Sequence, residues 1–596
     1  MRRPQIPAFA ALTGSLVLLC VAACAVKPEV PATEVPATVA ATPASGVAEP
    51  TAPTASNWDG HVKQFEEAYF AAHPVFAVQE GRHEFDGRLP DWSEAKLQQQ
   101  IVWLQTQRSS TQAYSDAMLT PEQQFQRDYV LARIDGELFW RVDADQPHRN
   151  PSFYTGALDP SVYLTRPYAP LPQRLTAFIA YANAVPAAAA QIRANLKTPM
   201  PKTFVTLGIN GFGGFAEFYR KDVPAVFADV NDATLQQQLK IALEGAAAAM
   251  DGLADWLKHE APKANDDFAL GAERFRKMLY ATERVDTPLA QLESIGRTDL
   301  LRNLRALKRA CADYAPQQSV ENCVLKMNLD KPEAGPVAEA RKQLVMLRQF
   351  VVDKKLVSIP SDELALVNEA PPFNRWNSAY IDIPGPSDKG MPSTYYIAPP
   401  DPSWSKADQD AYIPGKDGLL FTSAHEVWPG HFLQFLHSNR SSFEFGQLFL
   451  SYAFVEGWAH YAEQMMWDAG LGRGAAEVHI GQLSNALLRD VRFLCAIGLH
   501  TQNMSVQTCE GMFRKLAFQD PGNARQQAAR GTYDPAYLNY TLGKLMIMKL
   551  RSDWTATHGG RAGWHDFHDQ FLSYGGPPIP LVRAQMLGKD GGGSLF

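Results

Sequence analysis

Long stretches in which apolar side chains recur every three or four residues set the first limit on this chain. "LPQRLTAFIAYANAVPAAAAQIRANL" (171–196), "DATLQQQLKIALEGAAAAMDGLADWLKHE" (232–260) and "TPLAQLESIGRTDLLRNLRALKRACADYA" (287–315) keep that spacing over many turns and use good helix formers. Each would present one apolar stripe, which must be buried against another helix. The fold class expected is therefore mainly α. Strand-like material is confined to "AYIDIPGP" (379–386) and "STYYIAPP" (393–400), short runs closed by proline that suit a small hairpin or edge ribbon. A segment dense in Pro and Gly at about 350–400 divides an N-terminal helical lobe, 58–350, from a second lobe, 351–596, with a deep cleft expected between them.

The first residues specify an address. Arg2 and Arg3, an apolar run to Ala23 and small residues before Cys24 have the layout of a secretory signal peptide over 1–23. "VAAC" also resembles a bacterial lipobox, making Cys24 the lipidated first residue of the mature chain; an ordinary signal-peptidase site or an uncleaved anchor are the alternatives. Residues 24–57, rich in Pro, Ala and Thr, read as a tether. The expected location is the periplasm, on the outer membrane because Ala25 rather than an aspartate follows the cysteine. A net charge of -7 without clustered Lys or Arg gives no footprint for nucleic acid. Apart from Cys20 and Cys24, cysteines occur only as local pairs. In an oxidising compartment Cys311 with Cys323 and Cys495 with Cys509 is the economical pairing of three, with buried free thiols as the alternative.

"HEVWPGH", 425–431, begins like the H-E-x-x-H helix of a zinc peptidase, but its histidines are six apart and Pro429 stands in the second histidine's place. Six steps at about 100° per residue land ~240° round, so an undistorted helix cannot aim both at one ion. Either the likeness is accidental or Pro429 and Gly430 deform the helix. Further on, "FVEGWAHYAEQMM" puts Glu456, His460 and Glu463 at i, i+4 and i+7, one stripe amid apolar residues. In a zinc peptidase of the gluzincin type, a glutamate on a second helix completes the ligand set, and Glu456 fits that role.

"TSAHEVWPGHFLQ", "FVEGWAHYAEQMM", "LLRDVRFLCAIGLH" and "NYTLGKLMIMKLR", preceded by "DGRLPDWSE" and "NRWNSAYIDIPGP", resemble the bacterial domain-of-unknown-function family 885, grouped with the zincin-like metallopeptidases. The resemblance implies one Zn2+ held by His425, His431 and Glu456, with Glu426 as the catalytic carboxylate. It also makes the proline-glycine insertion part of the pattern, read here as a π-type bulge over Trp428–Gly430. Where the family has "DTGLH" this chain has "AIGLH", so Ala496 replaces an aspartate and His500 must be oriented by other groups.

Around this set, Asp534 as N-cap and Pro535 at the first helical position would place Tyr537, Tyr540 and Lys544 on one face. Tyr540 is the expected oxyanion donor and His500 the second, against the alternative of core aromatics. Arg489 and Arg492 could hold a peptide's C-terminal carboxylate, beside Tyr537, or simply pair with acidic helices. "NGFGG" at 210–214 reads as a turn or lid. Neither G-x-S-x-G nor a Walker pattern is present. Two functions follow: a membrane-tethered zinc metallopeptidase acting on peptides, peptidoglycan stems included, or a non-catalytic zinc lipoprotein that binds peptides or cell-wall fragments. Glu426 favours the enzyme, since a carboxylate beside the metal serves chiefly for proton transfer.

Overall fold

The computed structural model describes residues 54–375, 377–588 and 593–596, so the signal peptide, Cys24 and most of the tether lie outside the described residues. The fold is mainly α with one small sheet, and the described residues form one compact unit. The expected periodic stretches are helices Leu171–Asn195 (α1), Ala233–Glu260 and Leu289–Tyr314. Between the first two runs Lys202–Lys221 (α2), and Ala233–Glu260 becomes α3. Asp232 starts α3 by accepting from the Thr234 and Leu235 amides at 2.9 and 3.0 Å. By length and composition α1 could cross a membrane, but Leu175, Phe178, Val185 and Ile192 are buried in the core shared with α2 and α3. It is a core helix.

"NGFGG" is neither turn nor lid; it lies within α2. A glycine in a helix costs about 1 kcal/mol relative to alanine. Burial of Phe204, Val205, Phe212, Ala216 and Tyr219 on one stripe outweighs that cost.

Three strands, Leu366–Glu369 (β1), Ala379–Asp382 (β2) and Thr394–Ile397 (β3), form a sheet of order β1-β3-β2. β2 and β3 are the expected antiparallel pair, with Tyr380 opposite Tyr396. β1 adds parallel to the other edge of β3, and Val367, Tyr395 and Ile397 turn into the core. One hydrophobic cluster is confined to Val78–Leu257, whereas the largest runs from Phe139 to Val582 and draws on both sides of residue 350.

Disulfides join Cys311 at the end of Leu289–Tyr314 (α4) to Cys323, and Cys495 to Cys509. The second half supplies the helices that matter for chemistry: Lys416–Glu426 (α5), His431–Ser438 (α6), Tyr452–Asp468 (α7), Ala476–Thr501 (α8) and Asn539–Thr555 (α9). α7 and α9 meet through glycines. A Cβ on Gly457 would stand 2.5 Å from Gly543 Cα, and one on Gly543 1.9 Å from the Ala453 carbonyl oxygen. That close approach brings Tyr540 of α9 against Glu456 of α7.

Candidate metal centre

The chain between the two motif histidines leaves the helix altogether. α5 ends at Glu426 and α6 begins at His431, with Val427 at φ -125°, ψ -72° and Gly430 at φ -77°, ψ -131°. One amide, Trp428 to the Ser423 carbonyl at 3.4 Å, has π-type spacing; the next, Gly430 to Ala424 at 2.9 Å, spans six residues. The expected π bulge is therefore corrected to an interruption. Pro429 has no N–H to continue a ladder. Gly430 then folds so close that a Cβ would lie 1.7 Å from the His425 carbonyl oxygen. Trp458 of α7 donates its indole N–H to the Pro429 carbonyl at 2.8 Å and fixes the turn. The two imidazoles meet edge to face, ring centres 4.8 Å apart at 84°.

Their Nε2 atoms each lie 3.4 Å from Glu456 Oε2, and the three atoms lie within 4.8 Å of one another. Two ligand atoms ~2.0–2.2 Å from zinc at a tetrahedral angle would be roughly 3.3–3.6 Å apart, which the two histidine–Glu456 separations match. Glu456 Oε2 is buried with no hydrogen-bond partner among the described residues. A cation would relieve it.

A second carboxylate stands behind. Glu463, fully buried one turn beyond His460 on α7, accepts from His425 Nδ1 at 2.8 Å, which leaves the Nε2 lone pair facing the ligand set. Arg489 of α8 pairs with Glu463 at 3.1 Å. Burial and the Arg489 charge both push the His425 pKa down, but the Glu456 and Glu463 carboxylates beside its two ring nitrogens outweigh them and raise it to about 9. Both carboxyls are held far below their usual range despite burial, Glu456 chiefly by the His431 charge and Glu463 by Arg489. The pocket stabilises positive charge. Glu426 ends α5 beside His425, half-buried, with no side-chain hydrogen bond among the described residues. The Tyr540 hydroxyl donates to the other oxygen of Glu456 at 3.0 Å.

A family model described as "Bacterial protein of unknown function (DUF885)" matches residues 74–586. The chain belongs to the DUF885 family. Its fold is similar to that of a candidate lipoprotein of unknown function from Shewanella oneidensis, at a TM-score of 0.74 and 22% identity, covering 89% of this chain and 99% of that one. It is also similar to a candidate lipoprotein from Colwellia psychrerythraea, at 0.75 and 15%, covering 89% and 98%. Comparison with curated proteins returned no match.

In this DUF885 chain the other expected site residues scatter. His500 is corrected from oxyanion donor to core histidine: Nε2 donates to the Gly531 carbonyl at 2.8 Å and Nδ1 accepts from the Leu270 amide at 3.2 Å. Those backbone groups do the orienting that no carboxylate at position 496 can do, and burial lowers its pKa to about 4. Tyr537 is fully buried with its hydroxyl 4.0 Å from Cys509 Sγ, so it lines the core instead of a substrate site. Pro535 opens a 3-10 turn, and the Asp534 carboxylate, rather than capping it, accepts from Arg530 at 2.9 Å. Lys544, one turn beyond Tyr540 on α9, is buried against Asp299 at 2.5 Å. Of the two expected carboxylate-binding arginines, Arg489 pairs its charge with Glu463 at 3.1 Å, whereas Arg492 has no acidic partner among the described residues and gives its Nε to Gln527 at 2.8 Å. Glu463 had no assigned role in sequence; its signal was an acid seven residues after Glu456 on an otherwise apolar stripe.

Proposed function

We propose that this DUF885 member is a zinc metallopeptidase of the zincin type, hydrolysing peptide bonds in the cell envelope. The observation that carries this reading is the convergence of His425 Nε2, His431 Nε2 and Glu456 Oε2, with an unpaired carboxylate, Glu426, next in the chain to the first of them. A zinc ion held there would supply Lewis acidity toward the scissile carbonyl and an activated water at neutral pH. Glu426 accepts the proton of the attacking water and returns it to the leaving amine, a role open to it because no other side chain among the described residues holds its oxygens. Glu463 fixes the tautomer and direction of His425, and Arg489 balances Glu463's charge. Tyr540 steadies Glu456 through its second oxygen and must give up that bond to serve a developing oxyanion.

The signal-like residues 1–23, Cys24 and the tether support export and lipid attachment, and the description of both similar structures as candidate lipoproteins supports the same address. Cys24→Ala should release a membrane-pelleting protein into the soluble fraction or leave its precursor unprocessed. Mature Cys24→Ala that still pellets with membranes refutes the lipid anchor.

Elemental analysis of the purified chain together with digestion of a peptide library tests the enzyme. One zinc per chain and cleavage abolished in Glu426→Gln are expected. Stoichiometric zinc with no cleavage of any peptide would favour a binding lipoprotein, and a different resident metal would overturn the zincin reading.

A further inference from the structure

Three guanidinium groups act on the Tyr540 hydroxyl, which itself touches the Glu456 ligand: those of Arg489, Arg492 and Arg530. Arg489 is balanced by Glu463 at 3.1 Å and Arg530 by Asp534 at 2.9 Å. Arg492 is 8% exposed, its Nε is used by the neutral Gln527, and neither Nη has an acidic partner among the described residues. Its charge lies 4.9 Å from the Tyr540 ring centre, where the π face gives partial relief only. A buried cation left one anion short is costly, and no acidic side chain among the described residues offsets it.

We infer that Arg492 anchors a carboxylate of the substrate, through the paired N–H fork that the protein leaves open. This rests on the peptidase reading and narrows it to peptides with an anion close to the scissile bond. From the guanidinium across the Tyr540 ring (4.9 Å to its centre) and out through the hydroxyl to Glu456 (3.0 Å) the path is short. At ~3.3–3.6 Å per extended residue it spans roughly one to three residues. A C-terminal carboxylate at that distance makes the site one that removes short C-terminal fragments. An acidic side chain just beyond the cleaved bond offers the same chemistry.

The test measures binding by calorimetry to the signal-processed Glu426→Gln chain, so that hydrolysis does not consume the probe. Three probes are used: N-acetyl-Phe-Ala-Ala as free acid, the same peptide as C-terminal amide, and N-acetyl-Phe-Asp-Ala amide. The free acid should bind about 10- to 100-fold more tightly than its amide, the range for one charge-assisted pair. That preference should vanish when Arg492→Gln is added and survive in part in Arg492→Lys, which keeps the charge and loses the fork. If the aspartyl amide matches the free acid with the same dependence on Arg492, the anchored carboxylate is that of a side chain. Equal binding of all three probes to the parent chain overturns the inference without needing any Arg492 variant to fold. So does an acid preference that persists in Arg492→Gln. Because the readout is binding, failure of the hydrolytic reading shows separately, as absence of cleavage by the wild type.

Discussion

Helix α8 passes two buried histidines that end in opposite states. Near its middle, Arg489 sits behind His425; about three turns on, the helix carries His500. Burial pushes both imidazoles toward the neutral form. His425 nevertheless reaches about 9, because the carboxylates of Glu456 and Glu463 outweigh burial, whereas His500, held by one carbonyl and one amide, falls to about 4. Enclosure by itself therefore makes a structural histidine. Carboxylates on both ring nitrogens make a place for a cation, and the middle and the end of one helix separate these cases although both histidines are buried.

The sharpest way to break the contrast is at the ligand end. His431→Ala should lose the metal and with it all hydrolysis. Glu426→Gln should keep the metal and the melting temperature while turnover falls by at least the ~10²- to 10⁴-fold ascribed to general acid–base catalysis. Metal analysis and peptide turnover on the same preparations decide between them: loss of metal in Glu426→Gln, with His431→Ala still loaded, would redraw the ligand set. Gly430→Ala should resemble His431→Ala, since its Cβ meets the His425 carbonyl at 1.7 Å and the turn cannot form.

That glycine shows what could be read in the sequence and what could not. The 3.6-residue period located α1, α3 and α4, and proline-closed runs located β2 and β3, because those signals arise within single segments. The pairing of "HEVWPGH" with "EGWAH" pointed to His425, His431 and Glu456, whose side-chain atoms the fold brings within 4.8 Å of one another. How the first motif bends is a different matter: contact of Gly430 with His425 and of Trp458 with Pro429 replaces a bulge by a break. His500 and Tyr537 carried chemically apt side chains in helical register, but only packing decides that their polar atoms face Gly531 and Cys509. Strand β1 left little trace, four residues of which only Val367 is buried. "NGFGG" inverts the lesson, since burial of a stripe overrides what glycines favour locally.

A smaller effect should follow from the carboxylate that makes His425 different. Glu463→Gln keeps the shape but weakens the hold on Nδ1, and partners of this kind are worth ~10- to 100-fold in metal affinity. Chelator competition should show that loss. An unchanged metal affinity would mean that Glu463 serves only to balance Arg489. The matching change at the far end, His500→Gln, should leave metal affinity as it is.

What His500→Gln should alter is stability and its dependence on acid. Loss of well-formed bonds to the Gly531 carbonyl and Leu270 amide should cost about 1–3 kcal/mol near neutral pH, as for other buried groups left without a partner. The folded pKa of His500 lies at about 4, below the 6.5 of an unconstrained imidazole, so between these values the unfolded chain binds a proton that the native chain does not. Stability from this group is complete above pH ~6.5 and drains away as pH falls toward 4, at up to ~1.4 kcal/mol per pH unit. Glutamine does not titrate. Urea unfolding from pH 7.5 to 4.5 should therefore show the variant's deficit shrinking as acid is added, while the variant keeps a residual slope from histidines such as His73, also lowered to about 4 by burial. A deficit that stays constant over this range would mean that His500 is protonated in the native core, and the distinction between the two ends of α8 would fall with it.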